Sequence, residues 1–205
     1  MNSANLTTSS LVENEKEKNM ELLDVLDENG NKIGVEERKT VHEKGLWHVH
    51  VGVWIMNQKG ELLLQQRSGA KKVNPYKWTR TGGHVDSGEE PIEGIQREVE
   101  EEIGVKIPKD NFELIGIEKV ENLNSNLNIV NKNFVYSYFA FVNYNLEDYK
   151  MQEDEVCDLK YLTIEEMEEA RKNKDENYTF PFWKEGKFEK TLDFLKSKRQ
   201  SLENS

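Results

Sequence analysis

GHVDSGEEPIEGIQREVEEEIGV, residues 83–105, puts a glycine loop, an arginine and a cluster of glutamates into one short stretch. Pro91 suits a first helical position, where its missing N–H costs nothing. Ile92, Ile95, Val99 and Ile103 recur at three- and four-residue intervals and make one apolar stripe. Gly104 follows the last of them as a C-terminal stop. At about 100° per residue, Glu98, Glu101 and Glu102 share a face beside that stripe, and Gly94, one turn earlier, leaves the face bare. Like charges at helical spacing repel, so the stretch predicts an acidic ledge that has some use other than stability.

Hard cations such as Mg²⁺ take carboxylate, water and phosphate oxygens, and Glu98, Glu101 and Glu102 supply such a set. Arg97 lies on the flank, where it could hold Glu89 in a carboxylate–guanidinium pair. Gly82, Gly83 and Gly88 allow a tightly folded loop before the helix, close enough for backbone groups to join the site. A solvated charged helix is the bland alternative. The glycines, Arg97 and Gly104 in register with the glutamates weigh against it.

The stretch resembles the signature of the Nudix hydrolases, and Gly83, Glu89, Arg97, Glu98, Val99, Glu101, Glu102, Gly104 and Val105 fill its positions without gap or substitution. The resemblance implies an α/β fold, a Nudix-type α/β/α sandwich around a mixed central sheet, with the hairpin described below at its N-terminal end. It also implies attack of water on a small-molecule diphosphate, usually a nucleoside diphosphate linked to a further group, with Mg²⁺ or Mn²⁺ as cofactor. Carried over by position, Glu98, Glu101 and Glu102 would be metal ligands, Gly83 a backbone-carbonyl ligand, and Glu89 and Arg97 supports. One glutamate would orient or deprotonate the water. Glu155, in the acidic run Glu153-Asp154-Glu155, is the choice from outside the box, against a solvated loop.

The rest of the chain fits one such domain over residues 19–200. Residues 1–18 are polar and aperiodic and read as a disordered tail. They hold no apolar core for a signal peptide, and no run approaches a membrane span. One cysteine, Cys157, suits a reducing cytoplasm; after Val156, at the approach to a strand, it is expected to be a small buried residue. A hairpin is expected over residues 20–37 with its turn at Asn29-Gly30, and strands over Val49–Met56, Glu61–Gln65, Phe112–Val120 and Phe134–Val142. A helix opened by a Thr163/Glu166 capping box runs to about Lys172, and Phe188, Leu192 and Leu195 suggest a last surface helix. No repeat or second-domain linker is evident, and a homodimer is left open.

Net charge is −11, with 39 acidic against 28 basic residues. That disfavours nucleic-acid binding, which relies on basic residues neutralising phosphates. It would also oppose an anionic diphosphate unless metal and local cations offset the field. Arg67, Lys71, Lys72 and Lys77 are the candidates, each with a plain surface role as the alternative. Trp78 reads as a packing residue that could also floor a pocket.

The run DENGNKIG, His42, His48, WIMNQKGELLLQQRS, Pro75, Trp78 and GGHV is similar to isopentenyl-diphosphate isomerase and its hydrolase relatives, over roughly residues 20–170. Those isomerases use a cysteine before the helix and a glutamate on a later strand. Here the corresponding positions read Gly82 and Asn131 or Asn133, which perform no acid–base chemistry at carbon. His84 is kept as a support or substrate contact. His42, His48 and His84 would form a second metal site if isomerase-like geometry survives, with hydrogen-bonded structural roles for His48 and His50 as the preferred reading. A non-catalytic sensor of a nucleotide sugar or ADP-ribose is the remaining alternative, and the intact glutamates argue against it.

Overall fold

The computed structural model describes residues 21–124, 129–180, 183, 184 and 186–204; the expected tail, residues 1–18, lies outside them. In chain order the described elements are β1 (Leu22–Leu26), β2 (Lys32–Glu37), α1 (Arg38–Lys44), β3 (Trp47–Met56), β4 (Leu62–Arg67), β5 (Trp78–Thr79), α2 (Pro91–Ile103), β6 (Phe112–Asn124), β7 (Ile129–Phe141), β8 (Val156–Leu162), α3 (Ile164–Lys172) and α4 (Lys187–Glu203).

The strands form one mixed sheet centred on β3. Along one edge β3 pairs in parallel with β7 from Trp47↔Lys132 to Met56↔Phe141, and β6 pairs antiparallel outside β7. The other edge of β3 is shared. β1 meets its start at Leu26↔Trp47, and β4 meets its end at Ile55↔Leu63. Between them the glycine loop fills the gap, with Val51 N–H donating to the Gly83 carbonyl at 2.9 Å and Val53 N–H to Thr81 at 2.9 Å. The loop is thus fastened as a short extra strand, which sets its height over the sheet.

Alternation along β3 sorts its side chains between two layers. Val51, Val53 and Ile55 face α2 and pack with its Ile95, Val99 and Ile103. Trp54 and Met56 face the other way, against Ile164, Met167, Phe188, Leu192 and Leu195 of α3 and α4. These two layers make the expected α/β/α sandwich. Helix α2 begins at Pro91, carries a reciprocal Glu90/Glu93 capping box, and ends at Gly104, whose φ of 72° is left-handed. Thr163 caps α3 through Glu166 as the sequence implies.

Several expectations change. The central strands run longer than read, because pairing with β7 extends β3 back to Trp47 and with β6 extends β7 back to Ile129. Helix α1 was not legible: it buries only Val41 and has no side-chain cap. The hairpin turn lies where expected, with Asp27 Oδ1 accepting from the N–H groups of Asn29 and Asn31. Its return strand β2 is nonetheless an exposed edge, with Ile33 67% exposed. Cys157 is exposed rather than buried. In β8 it is Val156 that turns inward, so pleat alternation sends its neighbour out. Among the described residues, no helix is long and apolar enough to cross a membrane.

Leu195 is fully buried in the α3/α4 layer, so Leu195→Ala should cost about 2–5 kcal/mol in urea unfolding. Ile33→Ala on the exposed edge should change stability by less than about 0.5 kcal/mol.

Candidate active site

Arg97 organises the loop and the helix together. Its Nε and Nη2 donate to the two carboxylate oxygens of Glu89 at 3.2 and 3.0 Å, and Nη2 also donates to the His84 carbonyl at 2.9 Å. Its Nη1 donates to Glu98 at 3.0 Å and Glu101 at 3.1 Å. Glu89 in turn accepts from the Asp86 N–H at 3.1 Å. The pairing of Arg97 with Glu89 expected from the sequence is therefore the bidentate contact that closes the loop on α2. Burial disfavours the Arg97 charge, but the surrounding carboxylates more than offset it and raise its pKa.

The three helix glutamates occupy different depths. Glu102 is buried, accepting from Gln65 Nε2 at 2.8 Å and from the Gly82 N–H at 3.2 Å. Gln65 is itself fixed by the Thr81 hydroxyl, which donates to its Oε1 at 2.9 Å. Glu98 is largely covered, and Glu101 is 52% exposed at the rim. Burial, then the charge of Glu102, pushes the Glu98 carboxyl up to about 8 against the pull of Arg97. Burial also raises Glu102, against the donors Gln65 and Gly82 and the charges of Lys71 and Arg67.

Gly83 lies against the ledge: a Cβ there would sit 2.4 Å from the Glu98 carboxylate. Its carbonyl, the expected metal ligand, accepts from the Val51 N–H and keeps a second lone pair, while its lack of a side chain leaves room for the Glu98 carboxylate. Neighbouring Gly82 has φ of 155°, and a Cβ there would meet the Val51 carbonyl oxygen at 2.2 Å. Two covered carboxylates held under like-charge stress beside a bare glycine fit a small divalent cation, whose charge would relieve that stress.

Basic residues approach the same ledge. Arg67 donates through Nε to the Val73 carbonyl at 3.0 Å and lies within electrostatic reach of Glu102. Lys71 is within reach of Glu102 and Glu98 and forms an ion pair with Glu155. Glu155 thus stands at the edge of the site through Lys71. Lys72 lines the adjoining cavity. Lys77 lies at the foot of the loop between β4 and β5, where its carbonyl accepts from the Arg67 N–H. Trp78 packs against the α3/α4 layer under the Lys160 ammonium and does not line that cavity.

On the face of the sheet opposite α2, His42, His48 and His84 bring ligand nitrogens within 4.8 Å of one another. His48 Nδ1 lies 2.9 Å from the Leu46 carbonyl, while His48 Nε2 and His42 Nδ1 are buried with no hydrogen-bond partner among the described residues. Burial lowers all three, His48 to about 4, so at neutral pH they present uncharged imidazoles, the form that binds transition metals. The structural role expected for His48 accounts for one of its nitrogens. His50 is outside the cluster, its ring edge-on to His84. Asn133, opposite His48 in the β3–β7 register, has a buried Oδ1 with no hydrogen-bond partner among the described residues.

Of the supporting residues, Gln65 and Arg80 were not found from sequence. Gln65 had one faint signal, a polar residue at the inward end of the apolar run LLL in β4.

The sheet, the loop fastened to β3 and the carboxylate–arginine cluster define a domain class, and comparison with known proteins gives the same one. Residues 46–183 match the NUDIX domain model. The chain belongs to the Nudix family. It is 35% identical over 185 residues to Nudix hydrolase 3 of Arabidopsis thaliana, covering 88% of this chain but 24% of that protein. An uncharacterized Nudix hydrolase of Clostridium acetobutylicum is 33% identical over 159 residues, covering 75% of each. An isopentenyl-diphosphate Delta-isomerase of Streptomyces avermitilis is 40% identical over 86 residues, 41% of this chain and 44% of that protein. A Deinococcus radiodurans crystal structure shares the fold at a TM-score of 0.61 and 23% identity, over 78% of this chain and 93% of that one.

Arg97→Ala would leave Glu89 and Glu98 without their charged partner. It should cost about 3 kcal/mol, the scale of breaking a covered ion pair. Denaturant unfolding would read the loss, and Arg97→Lys, which cannot grip Glu89 with a planar fork, should recover only part of it.

Proposed function

We propose that the chain hydrolyses a diphosphate linkage in a nucleoside-diphosphate-type small molecule, with Mg²⁺ or Mn²⁺ held by Glu98, Glu101 and Glu102. The observation that carries this reading is the covered Glu98 beside the buried Glu102, braced by Arg97 and Gln65 against their mutual repulsion. A bound divalent cation supplies charge neutralisation at the phosphoryl oxygens and acidifies water. Arg97 keeps the Glu89 loop closed so that Gly83 stays against Glu98. Arg67 and Lys71 bring positive charge to the ledge, where the non-bridging oxygens of an anionic substrate need it. Glu155 positions Lys71 there, and Lys71 can exchange that carboxylate for a phosphate oxygen. Proton acceptance from the attacking water falls to one of the ledge glutamates or to Glu155.

The likeness to isomerases reaches 80% of the chain, at 27–29% identity, but the chain lacks their acid–base side chains at Gly82 and Asn133. The three-histidine cluster is the one feature that favours an isomerase-like reading. Incubation with isopentenyl diphosphate and product analysis should give no dimethylallyl isomer, and formation of that isomer would reverse the assignment.

Glu102→Gln should retain the fold and lose at least about 100-fold in metal-stimulated turnover on any active dinucleotide or nucleotide sugar, as removal of a group acting on the transition state does; an undiminished rate would sink the hydrolase reading. Mg²⁺ should also raise the melting temperature of the parent protein by binding the native state, and Glu98→Gln should shrink that shift.

A further inference from the structure

The face of the sheet opposite α2 carries a buried arginine that the ledge does not use. Arg80 is 9% exposed. It crosses over Gly52, where a Cβ would come within 2.6 Å of its Nε, so the glycine in β3 makes the passage. Its Nη2 donates to the Ser137 hydroxyl at 3.0 Å, and its guanidinium lies 5.9 Å from the Trp54 ring centre and 5.2 Å from that of Trp183. Its Nη1 is buried and has no hydrogen-bond partner among the described residues. Glu118 is within electrostatic reach, but Lys187 holds it at 2.5 Å. Leaving a buried guanidinium edge unbonded costs stability, so the site as it stands is one contact short.

Arg80 lines a cavity of about 1160 Å³, and the cavity wall is basic in an acidic protein. Among the described residues its charged lining comprises eight lysines and arginines against three glutamates, while the whole chain carries −11. Arg80, Lys184 and Lys187 stand at one end, and Arg67 and Lys71 adjoin the carboxylate ledge. The wall between cavity and ledge is Gly82, which lines the cavity while its N–H donates to Glu102. Only Thr81 separates Gly82 from Arg80, two chain steps or roughly 7 Å.

We propose that Arg80, with Ser137 and Trp183, is a specificity-determining subsite for a second oxyanion, a carboxylate or phosphoryl group, carried by the diphosphate substrate on the moiety beyond its cleaved linkage. This rests on the diphosphate reading of the ledge. A carboxylate or phosphoryl oxygen completes Nη1, and the tryptophans hold the guanidinium in place and desolvated, where a charge-assisted hydrogen bond is strongest. A neutral sugar or base leaves the same edge unbonded, so the subsite discriminates against it.

The test separates binding from turnover. In full-length Glu102→Gln protein with Mg²⁺, calorimetry compares UDP-glucuronate with UDP-glucose, and NADPH with NADH. At least one anionic member should bind ten-fold or more tightly than its neutral counterpart, and the pair that responds identifies carboxylate or phosphoryl recognition. Adding Arg80→Gln should erase the ratio, with Arg80→Lys restoring part of it. Lys187→Gln keeps Arg80 but frees Glu118 to neutralise it, and should cut the ratio several-fold even if Arg80 variants fail to fold. Equal affinities within both pairs, no binding of any of the four, or a ratio unmoved by Lys187→Gln would overturn the subsite. Absence of turnover by the parent enzyme on all four, with the affinity ratio intact, would instead sink the hydrolase reading and leave the oxyanion site standing.

Discussion

The guanidinium of Arg97 joins what the backbone keeps apart, the glycine loop on β3 and the carboxylate face of α2. Each of its nitrogens is engaged, and its partners include Glu89, Glu98, Glu101 and the His84 carbonyl. Without that bridge the helix would present several carboxylates to one another across a covered gap. With it, Glu89 is neutralised, Glu98 is aimed at Gly83, and the loop is pinned from the helix side as β3 pins it from the sheet side. The rest of the site depends on this closure, because a carboxylate is useful to a cation only where its position is held before the cation arrives.

The sheet supplies the other half of the constraint. β3 is long, and no single strand covers its second edge, so β1, the loop and β4 share it. Because pleat alternation sends successive β3 side chains to opposite faces, one strand serves two surfaces. The valines and Ile55 anchor α2 beneath the ledge, while the histidines, Gly52 and Trp54 line the opposite face. The glycine pair Gly82-Gly83 is the place where the two surfaces come within one backbone thickness of each other.

Much of this was legible because it is local. Pro91, the isoleucine–valine stripe and Gly104 specify α2 within its own length, and Asp27 to Asn31 specify the hairpin turn by side-chain-to-backbone bonds. Helix α1 was illegible for the converse reason. Its seven residues bury one side chain, and it exists because β2 delivers the chain to that place. Cys157 was misjudged because a strand's period is readable from sequence but its phase depends on which partner covers it. Ile33 and Val35 look like core residues in any window, but β2 is an edge strand among the described residues and their side chains are exposed.

The same division holds for the chemistry. Glu98, Glu101, Glu102, Arg97 and Glu89 are marked by spacing along one helix and its entry loop, so the sequence alone determined an acidic ledge and the family the chain belongs to. The Thr81–Gln65, Gln65–Glu102 and Arg80–Ser137 bonds join residues 16, 37 and 57 positions apart, and the histidine cluster brings His84 to His42 and His48. No periodicity encodes such contacts. They were decided by the register between β3, β4 and β7, since only packed strands bring those distant side chains within bonding distance and exclude the water that would otherwise satisfy them.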